Sequence, residues 1–331
     1  MKNEIQKKLE LFAENTQSIK KEFKWHDASA KRLAAMIYAL HNQKIDGAAI
    51  QGSHDLIKDS TGVFSTFRGN MALPIAAMLS LKGNREELFA STVAVYEMMK
   101  NSKFRASDYL TVAAYEIASQ GESADHPRIV ARAKEFFDSM KSAGWFRVGE
   151  DDYIYAAMLG LSDVDVTTGT ERIEQLYQRF KPQFSSKNCI QALAQVLVLS
   201  GDCGMAADRV LTLRDVLKSH KIRLDKAYTL PSLGVLSLLP VEPETLVREI
   251  DAAQNHLRTQ KGFGSWAVSK QEVQLFAAAT VAAAYADDIK CGVMAASVST
   301  GIASIIIAQQ VAIMAAIIAS TAAASAAATS N

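Results

Sequence analysis

His126–Lys141 (HPRIVARAKEFFDSMK) and Asp152–Leu161 (DYIYAAMLGL) are two different kinds of helix set one after the other. In the first, Ile129, Ala133, Phe136, Phe137 and Met140 recur at helical spacing, while Arg128, Arg132, Lys134, Glu135, Asp138 and Lys141 fill the other face. The second is apolar on nearly every side after Asp152. A helix greasy all round must be covered all round, and a helix with one charged face lies outside. The spacing therefore predicts an inner helix beside an outer one.

The same alternation extends in both directions. Apolar stretches occupy Met71–Leu81, Asp108–Ala118, Asp152–Leu161, Asn188–Leu199, Ala227–Leu239 and Glu272–Tyr285, their starts 37, 44, 36, 39 and 45 residues apart. That is the range of two-helix repeats. Charged amphipathic stretches lie between them at Arg85–Lys100, His126–Lys141, Thr170–Lys181, Met205–His220 and Pro243–Thr259. Pro127 and Pro243 suit a first helical turn, and Thr170 is a candidate cap. Ala28–Leu40 reads as a further inner helix and Gly52–Ser60 as a short outer one, which makes six or seven pairs. The fold class is all-α: helical hairpins closing into an α/α barrel (toroid), or stacking as an open α-solenoid, or forming an irregular bundle. Pattern alone does not decide closure.

Composition agrees with helices and bounds the partners. The 331 residues include 6 Pro and 17 Gly, and 49% are hydrophobic. With 36 Lys and Arg against 35 Asp and Glu, net +1, the basic excess of a nucleic-acid binder is missing. Three cysteines (Cys189, Cys203, Cys291) without CxxC spacing, and no apolar stretch of signal-peptide type behind the first residues, favour a cytoplasmic protein. The chain divides into a charged helix at 1–27, the paired helices at 28–290 and an uncharged Ala/Ile-rich segment at 291–331.

That last segment is the least ordinary. No charged residue follows Lys290, and Ile302–Ser320 is long enough to span a bilayer, although Gln309 and Gln310 sit at its middle. Three readings compete: a helix buried in or against the ring with its glutamines bonded to inner helices, a membrane anchor or interfacial helix, and a self-association face built on small residues.

Candidate chemistry is sparse. An apolar residue followed by Arg precedes four inner helices, placing Arg68, Arg105, Arg147 and Arg223 at similar joints. They either bond the last carbonyls of the preceding outer helix or ring one mouth and bind an anion. Glu150-Asp151-Asp152 opens an inner helix, where acids cap free amides. Asp151 and Asp152 are also the only catalytic candidates worth carrying. Asp163–Gly169 reads as a polar loop, and Ser53 as the cap of a short helix, in a Gly52-Ser53-His54-Asp55 run that contains triad residue types side by side. Cys203 or Cys291 with His220 or His256 could ligate zinc, but nothing fixes their distance, and no metal or cofactor is implied. GxSxG, HExxH, Walker A and GxGxxG runs are absent.

Gln260-Lys261-Gly262-Phe263-Gly264-Ser265-Trp266 fits QxxxGxW and resembles the QW motif of triterpene cyclases and related α/α-barrel proteins. There the Gln caps a helix and the Trp stacks beside it, so the resemblance adds Trp266 as a ligand-side candidate. The cyclases' aspartate-rich acid run is not present. The Phe-Arg joints, the LPIAAML inner helix, the GFGSW turn and the uncharged tail together resemble a mostly Gram-positive bacterial family, domain of unknown function 4003, across nearly the whole chain. That family implies no activity and supplies no site residue. Three functions follow as expectations. One is a non-catalytic helical-repeat protein binding a peptide, lipid or protein partner in its concave or central surface. Another is an α/α-barrel enzyme acting on a small or isoprenoid-like substrate near Asp151, Asp152, Arg147 and Trp266. The last is a membrane-associated accessory protein held by residues 302–320.

Overall fold

Helices form where apolar residues recur at helical spacing, and the computed structural model places them there. It describes residues 1–142, 148–200, 203–290, 308–318 and 320, among which there is no strand. The helices are α1 (Asn3–Glu22), α2 (Ala28–Leu40), α3 (Gly47–Ser60), α4 (Ala72–Ser80), α5 (Arg85–Asn101), α6 (Asp108–Gln120) and α7 (His126–Ser142). They continue with α8 (Tyr153–Leu161), α9 (Val166–Phe180), α10 (Lys187–Leu199), α11 (Cys203–Ser219), α12 (Leu230–Ser237), α13 (Pro243–Thr259) and α14 (Lys270–Lys290). A last helix, α15, runs over 308–318.

Several start where a short polar side chain takes a free amide. Asp27 accepts from the amides of Ser29 (2.7 Å) and Ala30 (3.2 Å), and Ser107 accepts from Leu110 (3.2 Å). Two starts differ from the sequence expectation. Asp165 caps α9 by accepting from Thr168 (2.9 Å), so the helix begins at Val166 and Thr170 lies within it, donating to the Val166 carbonyl at 2.7 Å. Asp46 caps α3 through Ala49 (2.9 Å), so Ser53 is interior to that helix and donates to the Ala49 carbonyl at 3.0 Å. In both places the upstream aspartate reaches an amide first, and the later hydroxyl bonds back along the formed helix.

Each odd-numbered helix up to α13 packs on the next even-numbered one, α1 on α2 through α13 on α14. The even helices bury almost everything: Ala72–Leu79 of α4, Tyr153–Gly160 of α8 and all of α12 are inaccessible to solvent. The odd helices bury a stripe, as in α13 with Leu246, Val247, Ile250, Ala253 and Leu257. Even helices also touch one another: α2 meets α4, α6 meets α8, α8 meets α10, α10 meets α12, α12 meets α14, and α14 meets α2. Odd helices do the same from α3 to α13, and α13 meets α1. Phe12 joins the two ends of the chain, its ring 5.0 Å from Phe263 and 4.9 Å from Phe276, both edge-on. Such a pair adds about 1 kcal/mol beyond area burial.

The α15 helix is almost entirely buried, with Val311, Ile313, Met314, Ile317 and Ile318 in the core. Gln309 donates from Nε2 to Ser232 Oγ on α12 at 3.2 Å. Among the described residues no helix is long and apolar enough to cross a membrane.

Candidate functional site

A small cavity of about 70 Å³ opens where α15 meets the N-terminal ends of even helices. Tyr109 comes from α6, Asp151, Asp152 and Tyr155 from the start of α8, and Asn188, Cys189 and Ala192 from α10. Tyr228 and Pro231 come from the start of α12, and Ala312, Ile313 and Ala316 close it from α15.

Asp152 is the chemical centre. Glu150–Asp152 form a short 3-10 turn that leads into α8. The Asp152 carboxyl is 4% exposed. Its Oδ2 accepts from the Gly149 amide at 2.9 Å, and its Oδ1 accepts from Gln191 Nε2 at 2.7 Å and Gln195 Nε2 at 3.1 Å. The two glutamines stand four apart on α10 and so share a face. Burial, and next the neighbouring Asp151 charge, push the Asp152 pKa up to about 7, while the three donated hydrogen bonds pull the other way. Asp151 is raised by burial and held back in part by a hydrogen bond from Asn188. The other titrating walls move the same way. Tyr109 is pushed up to about 12 by burial and then by the acids around it. Tyr155 is driven upward by complete burial, and burial raises the Cys189 thiol. Phenols and thiol thus stay un-ionised near neutral pH, so neither the tyrosines nor Cys189 is an activated nucleophile.

A second buried acid lies at the other end of the even helices. Glu116 on α6 accepts from Gln120 Nε2 and is pushed up to about 7, chiefly by burial. It lines a cavity of about 110 Å³ with His41, Lys82 and Tyr115.

The remaining sequence candidates scatter. Arg68 caps the preceding odd helix: its Nη2 donates to the Lys58 and Thr61 carbonyls, and its Nε to Thr61 Oγ1 at 3.3 Å. Arg223 is exposed and forks onto Asp225, at 2.9 and 3.2 Å. The Arg105 side chain is exposed, and its amide donates to Tyr153 Oη at 3.1 Å. Arg147 lies outside the described residues, as do Cys291 and residues 302–307 of the uncharged segment. What the joints share is inward. Phe67 packs on Phe89 and Tyr96, Phe104 packs on Phe137 and Tyr153, and Ile222 is fully buried. Trp266 is fully exposed and therefore unstacked, and the Gln260 side chain turns to His256 (3.4 Å) and Thr259 (3.3 Å). Ser53, His54 and Asp55 do not converge: Ser53 bonds backbone, His54 stacks edge-on to His26 at 5.1 Å, and Asp55 accepts from Gln51 at 2.8 Å. Among the described residues no group of three or more His, Cys, Asp or Glu side chains could hold a metal ion.

Sequence reasoning reached Asp151 and Asp152 but not their partners. Gln191 and Gln195 were marked in the sequence only by sitting one turn apart on an otherwise apolar helix.

Paired helices, a largely buried even-numbered set and a buried acid–amide cluster beneath an uncharged helix define an all-helical protein. A family model, protein of unknown function (DUF4003), matches residues 15–311, and the chain belongs to that family. No curated protein and no solved structure matches it.

Proposed function

We propose that this chain is a non-catalytic α/α toroid of seven helical hairpins, whose inner surface binds an uncharged apolar helix. In the chain itself that occupant is α15. The contacts of α14 with α2, and of α1 with α13, support closure of an inner and an outer layer. The observation that carries the binding reading is the seat of α15. Ala312, Ile313 and Ala316 pack over the cavity shared by α6, α8, α10 and α12, and Gln309 is held by Ser232. Small residues let a helix approach closely. The three hydrogen bonds that the Asp152 carboxyl accepts from Gly149, Gln191 and Gln195 offset part of the cost of burying it there.

An enzymatic reading would draw on Asp152, whose pKa near 7 suits a general acid. With α15 seated, the cavity of about 70 Å³ is too small for a substrate, since small-molecule sites run to roughly 300 Å³ and above, which favours the helix-binding reading.

The test is exchange of the occupant. A synthetic peptide with the sequence of residues 302–320, made soluble by terminal lysines, is titrated into the full chain while amide hydrogen exchange is followed. Loss of protection over 308–318, with the even helices still protected, supports a replaceable occupant. Unchanged protection at saturating peptide makes α15 a permanent core element and ends the binding reading.

A further inference from the structure

Among the described residues six large apolar side chains are exposed, and four of them sit in three loops. Trp25 (99% exposed) lies between α1 and α2, Val63 and Phe64 (74% and 102%) between α3 and α4, and Trp266 (105%) between α13 and α14. The other two, Met1 and Met205, belong to the starts of α1 and α11, the opposite ends of odd-numbered helices. Each of the three loops runs from the end of an odd helix to the start of an even one. They are also neighbours. Gln17 Nε2 donates to the Lys261 carbonyl at 2.6 Å, and Arg32 pairs with Glu272 at 3.1 Å. These tie the third loop to α1 and α14 to α2, the helices that flank the first loop, and the His26 and His54 rings, 5.1 Å apart, tie the first loop to α3. Scattered exposed apolar residues are ordinary; four gathered on one rim are not.

The charge around them is one-sided. Residues 17–32, 54–69 and 260–272 hold nine Lys and Arg against five Asp and Glu, in a chain of net charge +1. Lys20, Lys21 and Lys24 precede Trp25, Lys58 precedes Phe64, and Lys261 precedes Trp266. Indole and phenyl rings at loop tips, with the basic excess carried mostly by residues 17–32 around Trp25, match the boundary between lipid headgroups and acyl chains. The rings favour that boundary, and ammonium groups favour anionic headgroups.

We propose that this rim docks the protein peripherally on an anionic lipid bilayer, with Trp25, Phe64 and Trp266 as the inserted side chains. The surface is separate from α15 and does not depend on what α15 does.

Flotation of the full chain with vesicles tests it, comparing pure phosphatidylcholine with phosphatidylcholine containing about one third phosphatidylglycerol. The expected result is binding to the anionic vesicles alone, weakening as salt rises, with a blue shift of tryptophan emission. The triple variant Trp25→Ser, Phe64→Ser, Trp266→Ser is expected to bind at least about tenfold more weakly. So is the charge variant Lys24→Glu, Lys261→Glu. All five side chains are exposed, so far-UV circular dichroism and the melting temperature should not move. No flotation with anionic vesicles, or equal flotation of the triple variant, overturns the proposal. So does a dimer in solution that the triple variant splits while neither form floats, which would assign the rim to a second copy of the chain.

Discussion

Arg132 on α7 and Arg209 on α11 make the same three hydrogen bonds, each to carbonyls 28, 30 and 32 residues further on. Arg132 donates from Nε to Gly160 (3.3 Å) and from Nη2 to Ser162 (2.9 Å) and Val164 (2.8 Å). Arg209 donates from Nε to Ser237 (3.0 Å) and from Nη2 to Leu239 (2.8 Å) and Val241 (2.7 Å). Each guanidinium thus closes the C-terminal end of the even helix that follows, where carbonyls lack intrahelical partners. Identical geometry two hairpins apart supports the repeat reading more firmly than apolar spacing does.

Replacing either arginine by alanine removes a three-bond donor from half-buried helix-end carbonyls; of these, Leu239 keeps the Val241 amide at 2.8 Å. We expect Arg132→Ala and Arg209→Ala each to cost about 2–3 kcal/mol, read as a lower urea midpoint at unchanged slope. Lysine keeps the charge but not the fork, so Arg132→Lys should recover less than half of the loss. Equal stability of wild type and alanine variant would mean that solvent satisfies those carbonyls.

The contact of α7 with α8 has no room for a methyl group. A Cβ on Gly160 would lie 2.7 Å from the Ile129 carbonyl oxygen and 3.0 Å from the Ala133 nitrogen, both backbone atoms. Gly160→Ala must therefore push the two helices apart, at about 1–3 kcal/mol. Gly83 has nothing within 4 Å of its added Cβ, so Gly83→Ala serves as a neutral control. A Gly160 variant that melts with the control would contradict the packing of this pair.

Most of the helical layout is legible in the sequence, because apolar period carries it. Ala28–Leu40 falls where that period predicts it, and Pro243–Thr259 where the period and Pro243 at the first turn agree. Legibility failed where two capping residues compete, as at Asp165 and Thr170, since the sequence does not say which amide is reached first. It failed again for Arg132, Arg209 and the fully buried Lys8, which read as a solvated face. Their partners are carbonyls some thirty residues away, a distance that helical periodicity does not see: Lys8 Nζ reaches the Leu40 carbonyl at 3.0 Å. The apolar-Arg joints are visible as a pattern, but what they share is the buried apolar side chain, while the three described arginines do different things.

Asp152 makes stability depend on pH in a definite direction. Its folded pKa is raised to about 7 from 3.8, so between about pH 4 and 7 the folded chain holds a proton that the unfolded chain has lost. Stability therefore falls as pH rises through that window and levels off above it, by about 1.4 kcal/mol per unit of pKa difference. Glu116 adds a decline of the same sign. Asp152→Asn should remove the Asp152 share and be more stable than wild type at pH 8. The asparagine NH₂ can also donate to the Gln191 or Gln195 Oε1 atoms, both buried without a partner. Urea midpoints at pH 5 and pH 8 for both chains decide it. A wild type that gains stability across the interval would show Asp152 ionised in the fold.

The two glutamines at the start of α15 should respond oppositely to the same substitution. Gln309 has a partner in Ser232, whereas the Oε1 of Gln310 is buried with none. Gln309→Leu removes one side of a buried bond and strands the other, so a loss of about 1 kcal/mol or more is expected. Gln310→Leu exchanges an unpaired polar oxygen for apolar surface in a buried position and should be neutral or stabilising by up to about 1 kcal/mol. Ala312→Glu is the strong test, because it drives a charge against the cavity wall beside Asp151 and Asp152. It should expel α15, read as lost amide protection over 308–318, while α8 and α10 keep theirs. If instead the whole chain unfolds with it, α15 is part of the folding core and no exchange of occupant is possible.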